Sequence, residues 1–159
     1  LRTAPISRTQ ILLGKGLACF IATVGVAALL LIVAAIVFGV RPSAPAKLVM
    51  AVVSVSLCFV GVMMLLSVIG KTEQSAGGIG WAILMVMAMI GGGMVPLMFL
   101  PGWLQDIASV SPVKWSILAL EGAIWRDFSY AELAGPCGVL VGMGAVCFVV
   151  GTRAFRWSA

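Results

Sequence analysis

Four stretches of this chain run for about twenty residues or more without a charged side chain: Gly16–Val40, Leu48–Gly70, Ile79–Leu100 and Leu133–Thr152. A helix of ~20 apolar residues crosses the ~30 Å hydrocarbon core of a bilayer. Hydrocarbon offers no partner to an open backbone, so each stretch is expected to close its own hydrogen bonds as a transmembrane helix. The expected fold is therefore all-α, a polytopic membrane protein with four spans. Composition agrees: of 159 residues 62% are hydrophobic and 9% charged, with a mean hydropathy of +1.20, against about 25% charged in soluble domains. One core in a chain of this length cannot hide so much apolar surface, and lipid must cover the rest. The first run is far longer than the ~7–15 residues of a signal-peptide core, so it is expected to stay in the membrane.

The flanking charges give the orientation. Arg2, Arg8 and Lys15 precede the first span, Lys71 follows the second, and Arg153 and Arg156 follow the fourth. The other side carries Arg41, Lys47, Lys114 and Arg126, accompanied by Asp106, Glu121, Asp127 and Glu132. The more basic side is expected to be cytoplasmic, which places both termini there. A net charge of +5 would raise nucleic acid as a partner in a soluble protein. Here the basic residues sit between membrane runs, topology accounts for them, and no nucleic-acid partner is expected.

Several kinds of chemistry drop out. The chain has no histidine, which removes the commonest general base, Ser-His and Cys-His nucleophile pairs, and most zinc sites. Cys19, Cys58, Cys137 and Cys147 lie inside apolar runs with no CxxC spacing and are read as small buried hydrophobes, with no metal site. Gly70-Lys71-Thr72 imitates the end of a Walker A loop, but Leu65 stands where its first glycine belongs. No span holds an ionisable residue, so an ion-coupled carrier would lack its relay.

Four segments carry more than hydrophobicity. Ahead of the first span, Ser7 and Gln10 have the spacing of a capping box and Ile6 and Ile11 that of a hydrophobic staple, so a helix is expected to start at Ser7. Its basic and polar opening suits an interfacial anchor or a docking element for a cytoplasmic partner. In the third span Gly91, Gly92 and Gly93 precede Pro96, which predicts a kink or break, used for gating or for close helix packing. Met85, Met87 and Met89 beside them read as packing filler. From Pro101 to about Phe128 the chain is too polar to span and too tryptophan-rich for a plain loop. Pro101 is expected at the first position of one short helix containing Trp103. Ser111-Pro112 opens a second that runs to about Trp125, with Trp115, Leu118, Ala119 and Gly122 on one face. Two such helices suggest a re-entrant hairpin entering from the outer side, a form tolerated only where protein or water surrounds it. Last, Ser129 and Glu132 form another capping box with Phe128 and Leu133 as its staple. Beyond it Gly138 and Gly142 have the small-xxx-small spacing of a packed helix.

In this order, SRTQILLGK before a span, GGGMVPLMFLPGWLQDIASVSPVKW across the third span and hairpin, and a last span ending in TRAFRW resemble the C-terminal part of an ABC-2 type transporter permease. The resemblance covers nearly the whole chain and is most specific over Pro96–Gln105 and Ser111–Trp115. It implies that Pro5–Lys15 is a cytoplasmic coupling helix, with Ser7, Arg8, Gln10, Leu13 and Lys15 facing the ATPase. It implies too that Pro101, Trp103, Pro112 and Trp115 belong to an outer re-entrant gate. Family members have six spans, so two would precede this chain, which accords with its opening on Leu1.

The function so implied is that of a permease subunit, not an enzyme, forming half of the pathway of an ATP-driven exporter in the bacterial inner membrane. Its partners would be a separate ATPase subunit, which binds the ATP and Mg²⁺, and a second permease copy or similar permease, with membrane lipid around them. The chain itself would bind no cofactor. The alternative from another class is a non-transporting assembly or scaffold subunit.

Overall fold

In the computed structural model of the chain, the residues described are 8–39, 44–69, 73–96, 99 and 101–155. They form six helices: α1 (Arg8–Phe38), α2 (Pro45–Ile69), α3 (Glu73–Ile90), α4 (Gly102–Ala108), α5 (Pro112–Ile124) and α6 (Tyr130–Phe155). No strand occurs among the described residues, and the all-α expectation holds. Three helical stretches are long and apolar enough to cross a membrane: Leu13–Phe38, Pro45–Val68 and Tyr130–Ala154. They correspond to the first, second and fourth expected spans.

The third expected span, Ile79–Leu100, is not one helix. α3 has 18 residues, about 27 Å at 1.5 Å per residue, and stops at Ile90. The cause is the glycine run. Gly92 takes a left-handed φ of 87°, the amide of Gly93 reaches back to the carbonyl of Ala88 at 2.8 Å, and that of Gly91 to Met87 at 2.8 Å. The six-to-one bond across a left-handed glycine is a Schellman stop. The break therefore belongs to Gly91–Gly93, while Pro96 lies beyond it, exposed and outside any helix. α4 and α5 follow, bent by 86° to each other. The span count is three by this measure, or four if the bent pair is taken as one span.

α2 is the hub, touching α1, α3, α5 and α6. Of the most apolar window of α2, 44% is buried in the chain, against 28% for α6 and 0% for α1. The core is built from Ala51 and Cys58 of α2, Ala119 and Ala123 of α5, and Leu133, Cys137 and Leu140 of α6. Glycine lets α2 and α6 meet backbone to backbone. A Cβ on Gly144 would lie 2.7 Å from Cys58 Cα, one on Gly151 3.0 Å from the Leu65 amide nitrogen, and one on Gly61 would overlap the Gly144 carbonyl. These contacts step down both helices in the same direction, so α2 and α6 run parallel.

The small-residue packing expected of the last span thus uses Gly144 and Gly151, not Gly138 and Gly142. An added Cβ at Gly138 or Gly142 meets nothing within 4 Å. The residues differ by phase: 144 and 151 are seven apart, on the face toward α2, whereas 138 and 142 lie on the outward face. Cys19 departs from expectation in the same way, standing exposed on α1, while Cys58 and Cys137 are buried. Pro136 sits inside α6, where it withholds one amide from the helix ladder, a loss that membrane helices accommodate.

Only residues 39–44 join α1 to α2, and six residues reach at most ~20 Å. α1 has 31 residues, about 46 Å. The end of α1 must therefore lie beside the start of α2, and Arg8 at the opposite end of the molecule. The start of α2, the α5–α6 turn and the hairpin share one end, and the polar opening of α1 occupies the other.

Candidate functional site

The bent α4–α5 pair is held by side-chain bonds across its elbow. Pro101 is extended, with ψ of 148°, and its carbonyl accepts the amides of Leu104 and Gln105 at 2.9 and 3.1 Å. It caps α4 and does not occupy the first helical position expected for it, because its own backbone is not helical. Ser111 caps α5 by accepting the amide of Val113 at 3.3 Å, with Pro112 next in the helix. Lys114 Nζ donates to Ser109 Oγ at 2.7 Å and to the carbonyl of Gln105 at 3.4 Å. This sets an ammonium against the C-terminal end of α4, where the helix dipole favours a cation. Trp115 Nε1 donates to the Ser109 carbonyl at 2.8 Å.

Of the residues expected at the outer gate, Pro112 is buried and Trp115 half-buried on α5, while Pro101 is exposed at the start of α4. Trp103 also stands exposed on α4. The buried side of α5 consists of Pro112, Ser116, Ala119, Gly122 and Ala123. It is rotated from the expected stripe so that Trp115 and Leu118 flank it. α5 ends at Ile124, with Trp125 as its C-cap.

The turn into α6 is fastened twice. The capping box forms as expected: the amide of Ser129 donates to Glu132 Oε2 at 2.8 Å and the amide of Glu132 to Ser129 Oγ at 3.3 Å. Leu133 is fully buried in the core, against which Phe128 packs. The second fastening is an ion pair between distant parts of the chain. Lys47 Nζ lies 3.1 Å from Asp127 Oδ1 and 5.6 Å from the centre of the Tyr130 ring, tying α2 to the turn. Asp127 has a φ of 46°, a conformation Asp and Asn adopt more readily than other side chains. Opposite charges at the two ends of the loop system were the only sequence signal of this pair, and they do not specify pairing over 80 residues.

The Lys47 side chain is 13% exposed and that of Asp127 72%, so water screens one partner. A double-mutant cycle with Lys47→Met and Asp127→Asn should give a coupling of about 0.5–1 kcal/mol in chemical unfolding, reduced by salt. Asparagine tolerates the same φ, which keeps backbone strain out of the comparison. A coupling of zero would make the contact incidental.

At the other end, α1 begins at Arg8 and continues unbroken into the first span. The expected N-terminal coupling helix is thus the opening turns of a single long helix. Ser7 and its cap lie outside the described residues. Gln10, Leu13 and Lys15 are exposed. Above them an apolar groove of about 540 Å³ separates α1 from α2 and α6, lined by Leu13, Gly16, Phe20, Val60, Ala145 and Phe148. A second, of about 380 Å³, lies between α2 and α3 beside Leu66 and Trp81. Neither offers a nucleophile with a base. Among the described residues no group of three or more His, Cys, Asp or Glu could hold a metal.

Compared with known proteins, residues 1–125 match the family described as ABC-2 type transporter. The chain belongs to the ABC-2 type transporter family. The match runs through the end of α5. Over 156 residues the chain is 27% identical to the linearmycin resistance permease protein LnrN of Bacillus subtilis (strain 168), covering 98% of this chain and 40% of that protein. The chain thus spans well under half the length of this relative. No solved structure matches it. Membership in this family, together with the apolar helices, makes it an integral membrane protein of the transporter-permease type.

Proposed function

We propose that this chain is part of the permease of an ATP-driven exporter in a bacterial inner membrane, with its termini cytoplasmic. It forms half of a pathway whose other half is a second permease copy or a similar permease. The motor is a separate ATPase subunit that carries the ATP and Mg²⁺. The observation that carries this reading is the division of the molecule into two ends. One is a basic, polar opening of an unbroken 31-residue helix; the other is a bent helical pair at a broken third span. Resistance in the name of the LnrN relative favours export as the direction.

Mechanically, a push on the Arg8–Lys15 turns travels along α1 without a hinge to absorb it. α1 rests on the rest of the chain through a limited contact, such as Gly16 beside Val60 and Phe148, so it can tilt. The α2–α5–α6 block, packed through backbone contact, moves as a body. Trp115 and Pro112 lie on α5, whose start meets the end of α3, and close the outer side of the cavity between two permeases.

The test is a detergent pull-down of the full permease with its ATPase, comparing the wild type with Arg8→Glu and with a deletion of Ser7–Gln10. Both variants should lose most of the bound ATPase, and Arg8→Glu should lower transport-coupled hydrolysis about tenfold or more, the effect of ~1.4 kcal/mol in coupling. Unchanged association and hydrolysis would remove the coupling role. If no version retains an ATPase, the scaffold-subunit reading replaces the exporter.

A further inference from the structure

The broken end of α3 and the start of α5 meet at one side chain. Ser111 is 5% exposed, and its hydroxyl is used twice. It accepts the amide of Val113 at 3.3 Å, which caps α5. It also donates to the carbonyl of Met87, in the last turn of α3, at 2.8 Å. That carbonyl already accepts the amide of Gly91. The surroundings leave no slack. A Cβ on Gly91 would lie 2.7 Å from both Ser111 Oγ and Val113 Cβ, and one on Gly93 3.3 Å from Val113 Cγ1. The covalent route between Met87 and Ser111 is a detour of 24 residues through the glycine stop and α4, whereas the direct route is one hydrogen bond.

We propose that the Ser111 hydroxyl is the tie that fixes the outer end of α3 to the outer hairpin, so that the two move together in the transport cycle. The proposal rests on the hairpin being the outer gate and names the residue that positions it against the third span. α5 is packed on α2 and α6 as well as on α3, so the tie joins α3 to that block at its outer end. Toward the other end, α3 rests on α2 through Gly80 beside Leu66. Released at Ser111, α3 can swing about that lower contact. The glycine at 91 is then required because a Cβ there would push Ser111 away from the carbonyl, whereas the left-handed stop itself is at Gly92.

The chemistry of the hydroxyl separates the tie from the cap. Threonine keeps a donor and an acceptor. Ionised aspartate keeps the acceptor for the Val113 amide, a good N-cap, but has no proton for the Met87 carbonyl. Gly91→Ala attacks the same contact from α3, by steric displacement, while leaving the capping hydroxyl of Ser111 in the chain.

The experiment uses the whole permease in lipid nanodiscs with exposed and half-buried native cysteines removed (Cys19→Ala, Cys147→Ala). Spin labels on Met89→Cys and Trp125→Cys report the distance from α3 to the end of α5. A reference pair, Val49→Cys and Val146→Cys, reports α2 against α6. Wild type and Ser111→Thr should give one narrow α3–α5 distance. Ser111→Asp and Gly91→Ala should raise the share of molecules outside it about two- to tenfold, the range set by losing one hydrogen bond, with the reference pair unchanged. If Gly91→Ala and Ser111→Asp both keep the wild-type distribution, the tie does not exist. If aspartate also disturbs the reference pair, the alanine wedge alone decides by the same criterion. The distance readout needs neither ATPase nor substrate, so it stands apart from the exporter reading. Full transport by a variant whose hairpin is released would overturn the part the tie plays in transport.

Discussion

Replacing Gly144 with leucine will prise α2 from α6 and leave little folded protein. At this position the obstacle is backbone: Cys58 Cα at 2.7 Å, the Leu57 carbonyl at 2.8 Å and the Cys58 amide nitrogen at 3.1 Å from an added Cβ. A side chain can rotate away from such a contact, whereas two helices in backbone contact can only separate. Separation costs the dispersion contacts along the whole interface, which in a membrane are the main attraction between helices. The expected loss is about 3 kcal/mol or more, at the upper end of overpacking effects. Unfolding of the solubilised permease in a denaturing detergent measures it. Gly142→Leu, two residues away on the outward face, should change the same midpoint by no more than ~0.5 kcal/mol. Equal damage from the two substitutions would mean that α6 is rotated from the arrangement described.

Leu133→Ala should be the most damaging truncation at the hairpin end, at about 2–5 kcal/mol. Leu133 is fully buried and joins the starts of α2 and α6 to the end of α5, in one cluster with Ala51, Ala119 and Ala123. Ala51, Ala119 and Ala123 have no side chains long enough to fill the space it would leave. Ser129→Ala, four residues earlier, removes only the cap and should cost about 1 kcal/mol. Thermal unfolding followed by circular dichroism separates the two. A Leu133→Ala effect no larger than that of Ser129→Ala would show that the turn is held by its cap and the Lys47–Asp127 pair, with the core secondary.

The pattern of what was legible follows from range. The caps at Ser111 and Ser129 and the glycine stop after Ile90 are decided within a few residues, and local sequence states them fully. The elbow bonds of Lys114 and Trp115 to Ser109 span five or six residues and are still local. The extent of the third span is not legible from hydropathy, which continues through Gly91–Leu100 while α3 ends at Ile90. Apolarity tells where a chain resists water, and a Schellman glycine tells where its helix ends. The phase of α6 was illegible for a different reason. A helix that is apolar on every side carries no moment to distinguish Gly138 and Gly142 from Gly144 and Gly151.

By itself, the sequence determined that this chain is helical, that it lives in a membrane, where the Ser111 and Ser129 caps and the glycine break fall, and which family it resembles. Those properties depend on transfer of apolar side chains out of water and on hydrogen bonds between near neighbours. Only the tertiary structure decided which glycines bring α2 and α6 together, that Lys47 finds Asp127, and that the hydroxyl of Ser111 serves both the helix it caps and the carbonyl of Met87. Each of these depends on the rotation of one helix against another. In a bilayer that rotation is chosen by shape and by a few polar contacts, since lipid and protein interior are equally apolar and hydrophobicity gives it no preference.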